Sequence, residues 1–406
     1  MAGQGPRPPA VAWRHGDHGT EGVSDAHDVV VVGAGIVGLA AAWRCAQSGR
    51  DVALVDPAPG RGATWAAAGM LAPVAEAHFG EAALAVLNVA AAAVWPTFAG
   101  DLEAASGQCV HLRTDGTLVV AGDPSDRAAT DRILAFHQSL GLAAVRLGAR
   151  ACREAEPLLA PGVSGGVDLP GDHQVDNRAV ATALVAACEA AGVTLMADRV
   201  ARVDVTGGRI RGVTLAEGGT VRSAAVVVAA GTRSGDIDGV PDRWRPPVRP
   251  VRGVTVRLHA PDGVPRLRRT VRALVHGRSC YLVPRDDGGV VLGATVEERG
   301  SALDVHLGGV ADLIMDARLV VPAIDEYAVL EMTPGLRPGT PDNGPIVGTT
   351  PVDGLLVATG HYRNGVLLAP LTAREVVSLL DDGSTTGPSP FDGFRPDRFA
   401  GPEGGR

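Results

Sequence analysis

From Asp28 to Val32 the chain is almost unbroken valine, the pattern of a strand buried on both faces of a parallel sheet. Gly33-Ala34-Gly35-Ile36-Val37-Gly38 follows, and apolar residues then recur at helical spacing from Ile36 to Ser48, with Gly49 placed to end the helix. Asp51 to Val55 is a second apolar run and stops at Asp56, which completes one βαβ unit. Further on, the periodicity predicts helices over about 81–99 and 125–141, a short strand near Thr117–Val120, and a helix from Asn177 to Ala191. A β-meander comes next: Arg199–Val205, Arg209–Leu215 and Thr220–Arg222, with turns at Gly207-Gly208 and Gly218-Gly219. It leads into another buried run, Ala225 to Gly231. Pro246, Pro247 and Pro250 mark a crossing between domains. Strands at Val251–Leu258, Cys280–Pro284 and Gly289–Ala294 and a helix around 307–319 belong beyond it. The chain then re-enters the first domain through Gly335-Leu336-Arg337-Pro338. It ends its ordered part with a strand, Leu355–Ala358, a glycine-marked turn and a short apolar helix.

These elements predict a two-domain α/β fold. One domain is Rossmann-like, with a parallel sheet and a β-meander, built from 28–80, 165–247 and 331–382. The other carries an antiparallel sheet and takes 81–164 and 248–330. Residues 1–27 read as a disordered extension, and 383–406, rich in Gly, Pro and Ser, as a loose tail.

Composition narrows the function classes. The 406 residues are 46% hydrophobic and 20% charged, so the chain is globular and large enough for two cores. The formal net charge is −8, every one of the 37 basic residues is arginine, and they form no stripe, which argues against a nucleic-acid partner. The five cysteines are scattered, with no Cys-x-x-Cys pair and no His/Cys cluster, so no metal is expected and a reducing compartment is. The N-terminal residues lack a basic segment followed by an apolar one. The longest apolar stretch, about Ala82 to Val94, is shorter than the ~20 residues of a membrane span. A cytoplasmic protein without a membrane partner is the expectation.

Gly33, Gly35 and Gly38 lie between a strand and a helix, the setting in which a Gly-x-Gly-x-x-Gly turn lets the backbone approach a dinucleotide pyrophosphate at the helix start. Asp56 is placed, about 20 residues on, to accept from ribose hydroxyls. The meander and the late return do not suit two contiguous mononucleotide halves. They suit a two-domain FAD protein, as do the small residues of Gly62 to Met70 with the Thr64 hydroxyl. In Gly360-His361-Tyr362-Arg363-Asn364-Gly365-Val366-Leu367, a helix N-terminus stands beside a histidine, a tyrosine and an arginine. That arrangement favours a heterocycle that gains negative charge on reduction. Arg337, between Gly335 and Pro338, has the planar donor fork that carboxylates prefer. Tyr281 reads either as a second contact or as a core aromatic. His361 reads as a turn cap, not a base, and His173 and His276 as incidental. Glu297-Glu298-Arg299 reads as a solvated loop.

Together the segments Thr64 to Met70, Tyr281-Leu282-Val283-Pro284-Arg285, Gly335 to Thr340 and His361 to Pro370 resemble the D-amino-acid oxidase family of FAD amine oxidases. Within it they are most similar to the glycine-oxidising members of thiamin biosynthesis, over roughly residues 28–380. The resemblance implies that Ile36, Val37, Asp56, Pro57, Ala63, Thr64, Ala68, Gly69, Met70 and Val200 line the FAD and that His361, Tyr362, Arg363, Asn364, Gly365, Val366 and Leu367 wrap its ring. It implies Arg337 as the substrate-carboxylate anchor, assisted by Tyr281 and Arg363, with no dedicated acid or base. Asp56 stands where a glutamate is common in that family, and Ala63 where a hydroxyl residue is. The implied reaction passes hydride from the Cα of glycine or a small amino acid, sarcosine or D-alanine included, to the flavin. Oxygen is reduced to hydrogen peroxide, and imine, then glyoxylate and ammonia, are formed. A D-amino-acid or sarcosine oxidase, a dehydrogenase, and a non-catalytic amino-acid-binding flavoprotein stay open as alternatives, and a homo-oligomer is compatible with the sequence. Some relatives attach flavin through a late cysteine. No cysteine follows Cys280 here, so the FAD is expected to be noncovalent.

Overall fold

The computed structural model describes residues 26–382 and 388–400. Most of the expected N-terminal extension lies outside them. In chain order the strands and helices are β1 (His27–Val32), α1 (Ile36–Gln47), β2 (Val52–Val55), α2 (Ala63–Ala66), β3 (Met70–Leu71), α3 (Ala82–Ser106), β4 (Thr117–Ala121), α4 (Pro124–Ser139), β5 (Val145–Gly148) and α5 (Ala149–Ala155). Then come β6 (Gly165–Leu169), β7 (His173–Gln174), α6 (Asn177–Ala190), β8 (Thr194–Met196), β9 (Val200–Thr206), β10 (Arg209–Leu215), β11 (Thr220–Val228) and β12 (Arg249–His259). The last are β13 (Thr270–Val275), β14 (Arg278–Pro284), β15 (Gly289–Gly293), α7 (Leu307–Val320), β16 (Ala328–Gly339), β17 (Ile346–Thr349), β18 (Leu355–Thr359) and α8 (Gly365–Asp382).

Two large sheets organise the chain. The first runs β17-β18-β11-β1-β2-β8, with β10 and β9 branching from β11. Strands β18, β11, β1, β2 and β8 are mutually parallel, so α1 and α8, which follow β1 and β18, both begin at the same edge of the sheet. One long strand, β11, serves as both the third meander strand and the buried parallel strand. Its start pairs antiparallel with β10 and its end parallel with β1. The second sheet runs β16-β12-β15-β14-β13-β4-β6-β5.

Three expectations about domain membership are corrected. Helix α3, placed with the second domain, packs against α1's neighbours α6 and α8 and buries Leu84, Leu87, Trp95, Phe98 and Leu102 in the first core. It reaches Ser106 and is long and apolar enough to cross a membrane; one apolar face lies in the first core, while Val86 and Val89 are exposed. Strand β6, placed with the first domain, pairs with β4 in the second sheet. Gly335-Leu336-Arg337-Pro338 is not a re-entry loop but part of β16, paired with β12 from Arg249 to His259. Pro334 and Pro338 are tolerated there because β16 is an edge strand. The tail is corrected as well. Residues 388–400 pack on the first core through Phe391 and Phe394, and Arg395 pairs with Glu375 at 2.8 Å. Residues 383–387 and 401–406 of that tail lie outside the described residues.

Candidate active site

The β1–α1 turn is shaped by close backbone packing. Gly33 has φ +99°, and a Cβ there would stand 2.7 Å from the Ala229 carbonyl oxygen. A Cβ on Gly38 would stand 1.8 Å from the Gly33 carbonyl oxygen, so only glycine lets the first turn of α1 close on the loop. No side chain caps α1 at Gly35, and the Ile36 amide donates to Thr64 Oγ1 at 2.9 Å. Asp56, at the end of β2, accepts from the Ala34 amide at 2.7 Å and the Ala58 amide at 2.7 Å. A carboxylate has further lone pairs, so these bonds orient Asp56 without exhausting it. Ala63 and Thr64 start α2, Ala68 and Gly69 lead into β3 with Met70, Pro57 is exposed beside Asp56, and Val200 opens β9. Gly69 has a reason of its own. A Cβ there would meet the Val175 carbonyl oxygen at 2.0 Å.

The second half of this region follows β18. Gly360 (φ +73°) and Tyr362 (φ +46°) turn the chain sharply, and the Tyr362 amide donates to the Pro338 carbonyl on β16 at 3.0 Å. His361 is buried and its Nε2 lies 2.9 Å from Thr372 Oγ1. Burial depresses its pKa to about 3, so the ring is neutral and is no general base at ordinary pH. Asn364 is buried, Trp95 Nε1 donates to the Leu367 carbonyl at 2.9 Å, and Val366 and Leu367 pack in the core. Two helix N-termini, those of α1 and α8, therefore open at one sheet edge with glycines in front of both. This geometry fits an FAD. The α1 end and Asp56 would hold the adenosine diphosphate part, and the α8 end would favour negative charge on the ring.

Across from α8 the second sheet presents one row of side chains. Val167, Val119, Arg272, Tyr281, Gly293, in strands β6, β4, β13, β14 and β15, are successive cross-strand partners. Apart from Gly293 the row lines a cavity of about 190 Å³ that also takes in Arg337, Arg363, Glu76 and Val296. The structure thus brings the three expected substrate residues together. Burial pushes the Tyr281 phenol up, against the opposing effect of Arg337 and Arg272, so it stays protonated. Gly293 leaves room for its ring. A Cβ there would stand 2.3 Å from the phenol oxygen. Gly253 does the same for Arg337. Its Cβ would meet the guanidinium at 2.1 Å. One nitrogen of Arg337 donates to the Thr295 carbonyl at 3.3 Å.

Arg363 differs from expectation. Its guanidinium is engaged by Glu76 at 3.2 Å and stands 4.0 Å from Glu81. Glu76 and Arg272 were not singled out in the sequence. Arg272 reaches Glu76 at 2.5 Å. Burial would raise the Glu76 carboxyl, but the charges of Arg272 and Arg363, with His78 Nε2 3.7 Å away, outweigh it and hold the group ionised, well below the usual range. Glu76 sits on a segment pinned by Asp172, which accepts from the Val74 and Ala75 amides at 2.9 and 2.8 Å. With Arg272 and Arg363 occupied by acidic partners, Arg337 is the cavity arginine without a carboxylate partner among the described residues. Among the described residues no His/Cys/Asp/Glu group could hold a metal.

Comparison with known proteins agrees with this geometry. The chain is 33% identical over 363 residues to a glycine oxidase of Geobacillus kaustophilus, covering 88% of this chain and 94% of that one. It is 32% identical over 359 residues to the bifunctional protein ThiO/ThiG of a Nostoc species, covering 87% of this chain, and spans about half (52%) of that relative's length. The crystal structure of the Geobacillus kaustophilus glycine oxidase superposes with a TM-score of 0.83 at 30% identity, covering 92% of this chain and 98% of that one. Residues 28–379 match the FAD dependent oxidoreductase (DAO) family. The chain belongs to that family of FAD-dependent oxidoreductases.

Proposed function

We propose that this protein oxidises glycine and other small amino acids at the C–N bond, with oxygen as the final acceptor. The observation that carries the reading is Arg337. It is held over Gly253, beside the Tyr281 phenol, in a cavity whose other two arginines already have acidic partners. One substrate carboxylate would complete that charge pattern. Arg337 and Tyr281 would orient it, and the buried row of the second sheet would exclude water from the reacting carbon. No side chain need act as a base when the amine binds uncharged. Bound FAD supplies the two-electron acceptor. The amino acid loses two electrons and two protons to become an imine, water hydrolyses the imine to glyoxylate and ammonia, and oxygen is reduced to hydrogen peroxide. The imine is also the species that a thiazole-forming partner in thiamin biosynthesis would take. A cytoplasmic setting fits this reading.

Anaerobic addition of glycine to the yellow protein tests the proposal. Bleaching of the visible absorbance, restored by air with one peroxide per glyoxylate, is the expected result. Unchanged colour with glycine, sarcosine, D-alanine and D-proline alike would instead make the protein a binder.

The FAD is expected to be noncovalent. Cys280, which lines the cavity, is buried, and that burial pushes its thiol up to about 12, so it is a neutral and poor nucleophile. Acid precipitation should leave the colour in the supernatant. Colour retained in the washed pellet would contradict this.

A further inference from the structure

Arg252 lies on β12 next to Gly253, but it points to the opposite face of the sheet and is fully buried. A buried guanidinium is costly unless its donors are met. Among the described residues the side-chain partners of Arg252 all belong to one segment, the stretch between β15 and α7, and its Nε has none. Its Nη2 reaches Glu297 Oε2 at 2.6 Å and His306 Nδ1 at 2.6 Å, and its Nη1 donates to the Ala302 carbonyl at 3.3 Å. Its backbone exchanges two hydrogen bonds with Glu297, at 2.8 and 2.9 Å. The segment has little else to hold it, since every residue from Glu298 to Gly308 is exposed. The solvated loop expected at Glu297-Glu298-Arg299 is thus anchored at its first residue.

The same segment forms part of the cavity. Ala294 and Val296 line it, and the Thr295 carbonyl accepts from Arg337. Thr295 is tied back to β12 by its side chain, which accepts from the Val254 amide at 2.9 Å and donates to Glu297 Oε1 at 3.0 Å. A continuous path runs from the Arg252 guanidinium through Glu297 and Thr295 to the Arg337 guanidinium.

We infer that Arg252 is a positioning residue for amino-acid binding, fixing the 294–306 segment so that the Thr295 carbonyl aims Arg337. The inference rests on the reading of Arg337 as the carboxylate anchor. Arg252 touches no substrate or cofactor site, so its effect should fall on substrate binding and leave FAD content and spectrum intact.

The test is steady-state kinetics of FAD-loaded Arg252→Met with glycine, alone and combined with Arg337→Ala. KM should rise about tenfold while kcat changes less than about threefold, the pattern of lost uniform binding. In the Arg337→Ala background, Arg252→Met should change kcat/KM little, because both act through one guanidinium. If Arg252→Met fails to fold, Glu297→Gln removes the paired charge from the less buried side and should raise KM about threefold. The inference is overturned if a folded, FAD-loaded variant keeps the parent KM while Arg337→Ala raises it. A full Arg252→Met effect in the Arg337→Ala background also overturns it. If Arg337→Ala itself leaves KM unchanged, the anchor reading fails first and takes the inference with it.

Discussion

Arg337→Ala is expected to retain its FAD and fold and to lose on the order of 30-fold or more in affinity for amino acids. Truncating one partner of a desolvated, hydrogen-bonded charge pair costs about 2–5 kcal/mol, and 1.4 kcal/mol is about tenfold. The cavity places no second free guanidinium to compensate, because Arg272 and Arg363 are held by Glu76. Arg337→Lys should recover only part, since a point charge cannot reproduce a two-pronged contact. Gly253→Ala should shift affinity in the same direction without touching the anchor itself, because its Cβ would occupy the space of the guanidinium. The comparison that decides is Arg363→Ala. If that variant selectively loses carboxylate binding while Arg337→Ala keeps near-normal kinetics, the anchor is Arg363.

Gly365→Val should give a folded protein that retains FAD poorly. Gly365 is the first residue of α8, and a Cβ there would have only His361 Cβ nearby, at an ordinary 3.7 Å. The protein itself has room for a side chain, so any penalty must come from what the helix N-terminus faces. This differs from Gly33 and Gly38, where a Cβ would clash with backbone and the fold itself would suffer. The measurement is the ratio of visible to 280 nm absorbance after desalting, with thermal unfolding of the apoprotein as a control. Full FAD loading and normal turnover would show that the helix start does not face the cofactor.

The βαβ unit was legible because valine and alanine runs buried on both faces carry an unmistakable pattern, as in Val29–Val32 and Val52–Val55. The turn glycines, Arg337 and Tyr281 were singled out as candidates for the same local reason: each sits in a short segment of unusual composition. Arg272 was not. Its strand follows Arg266, Arg268 and Arg269, and that polar density masks the alternation of Val271, Ala273 and Val275. Glu76 was missed because its role depends on two arginines about 200 and 290 residues away in sequence, which only the tertiary fold brings together. Helix α3 was assigned to the wrong layer because an alanine-rich helix offers no strongly polar side to orient it. Strand β16 hid behind its glycines and prolines, and Phe391 and Phe394 behind a tail of turn-forming residues.

The chain passes between the two sheets four times, at 107–116, 170–172, 245–248 and 340–345. The lobes are also tied directly. Thr255 Oγ1 donates to the Ala66 carbonyl, Arg285 to the Ala68 carbonyl, and Arg178 pairs with Glu331. Two bodies joined by a single linker can open like a clamshell, whereas four crossings together with these direct ties oppose a wide swing of one lobe on the other. On the proposed reading, exchange of substrate and product would then fall on small local displacements. Such displacements come most cheaply from segments with few packed neighbours, and the exposed stretch from Glu298 to Gly308 is one of these, restrained mainly where Arg252 holds Ala302 and His306. Turnover would then respond to the stiffness of a few short loops far more than to the overall rigidity of the fold.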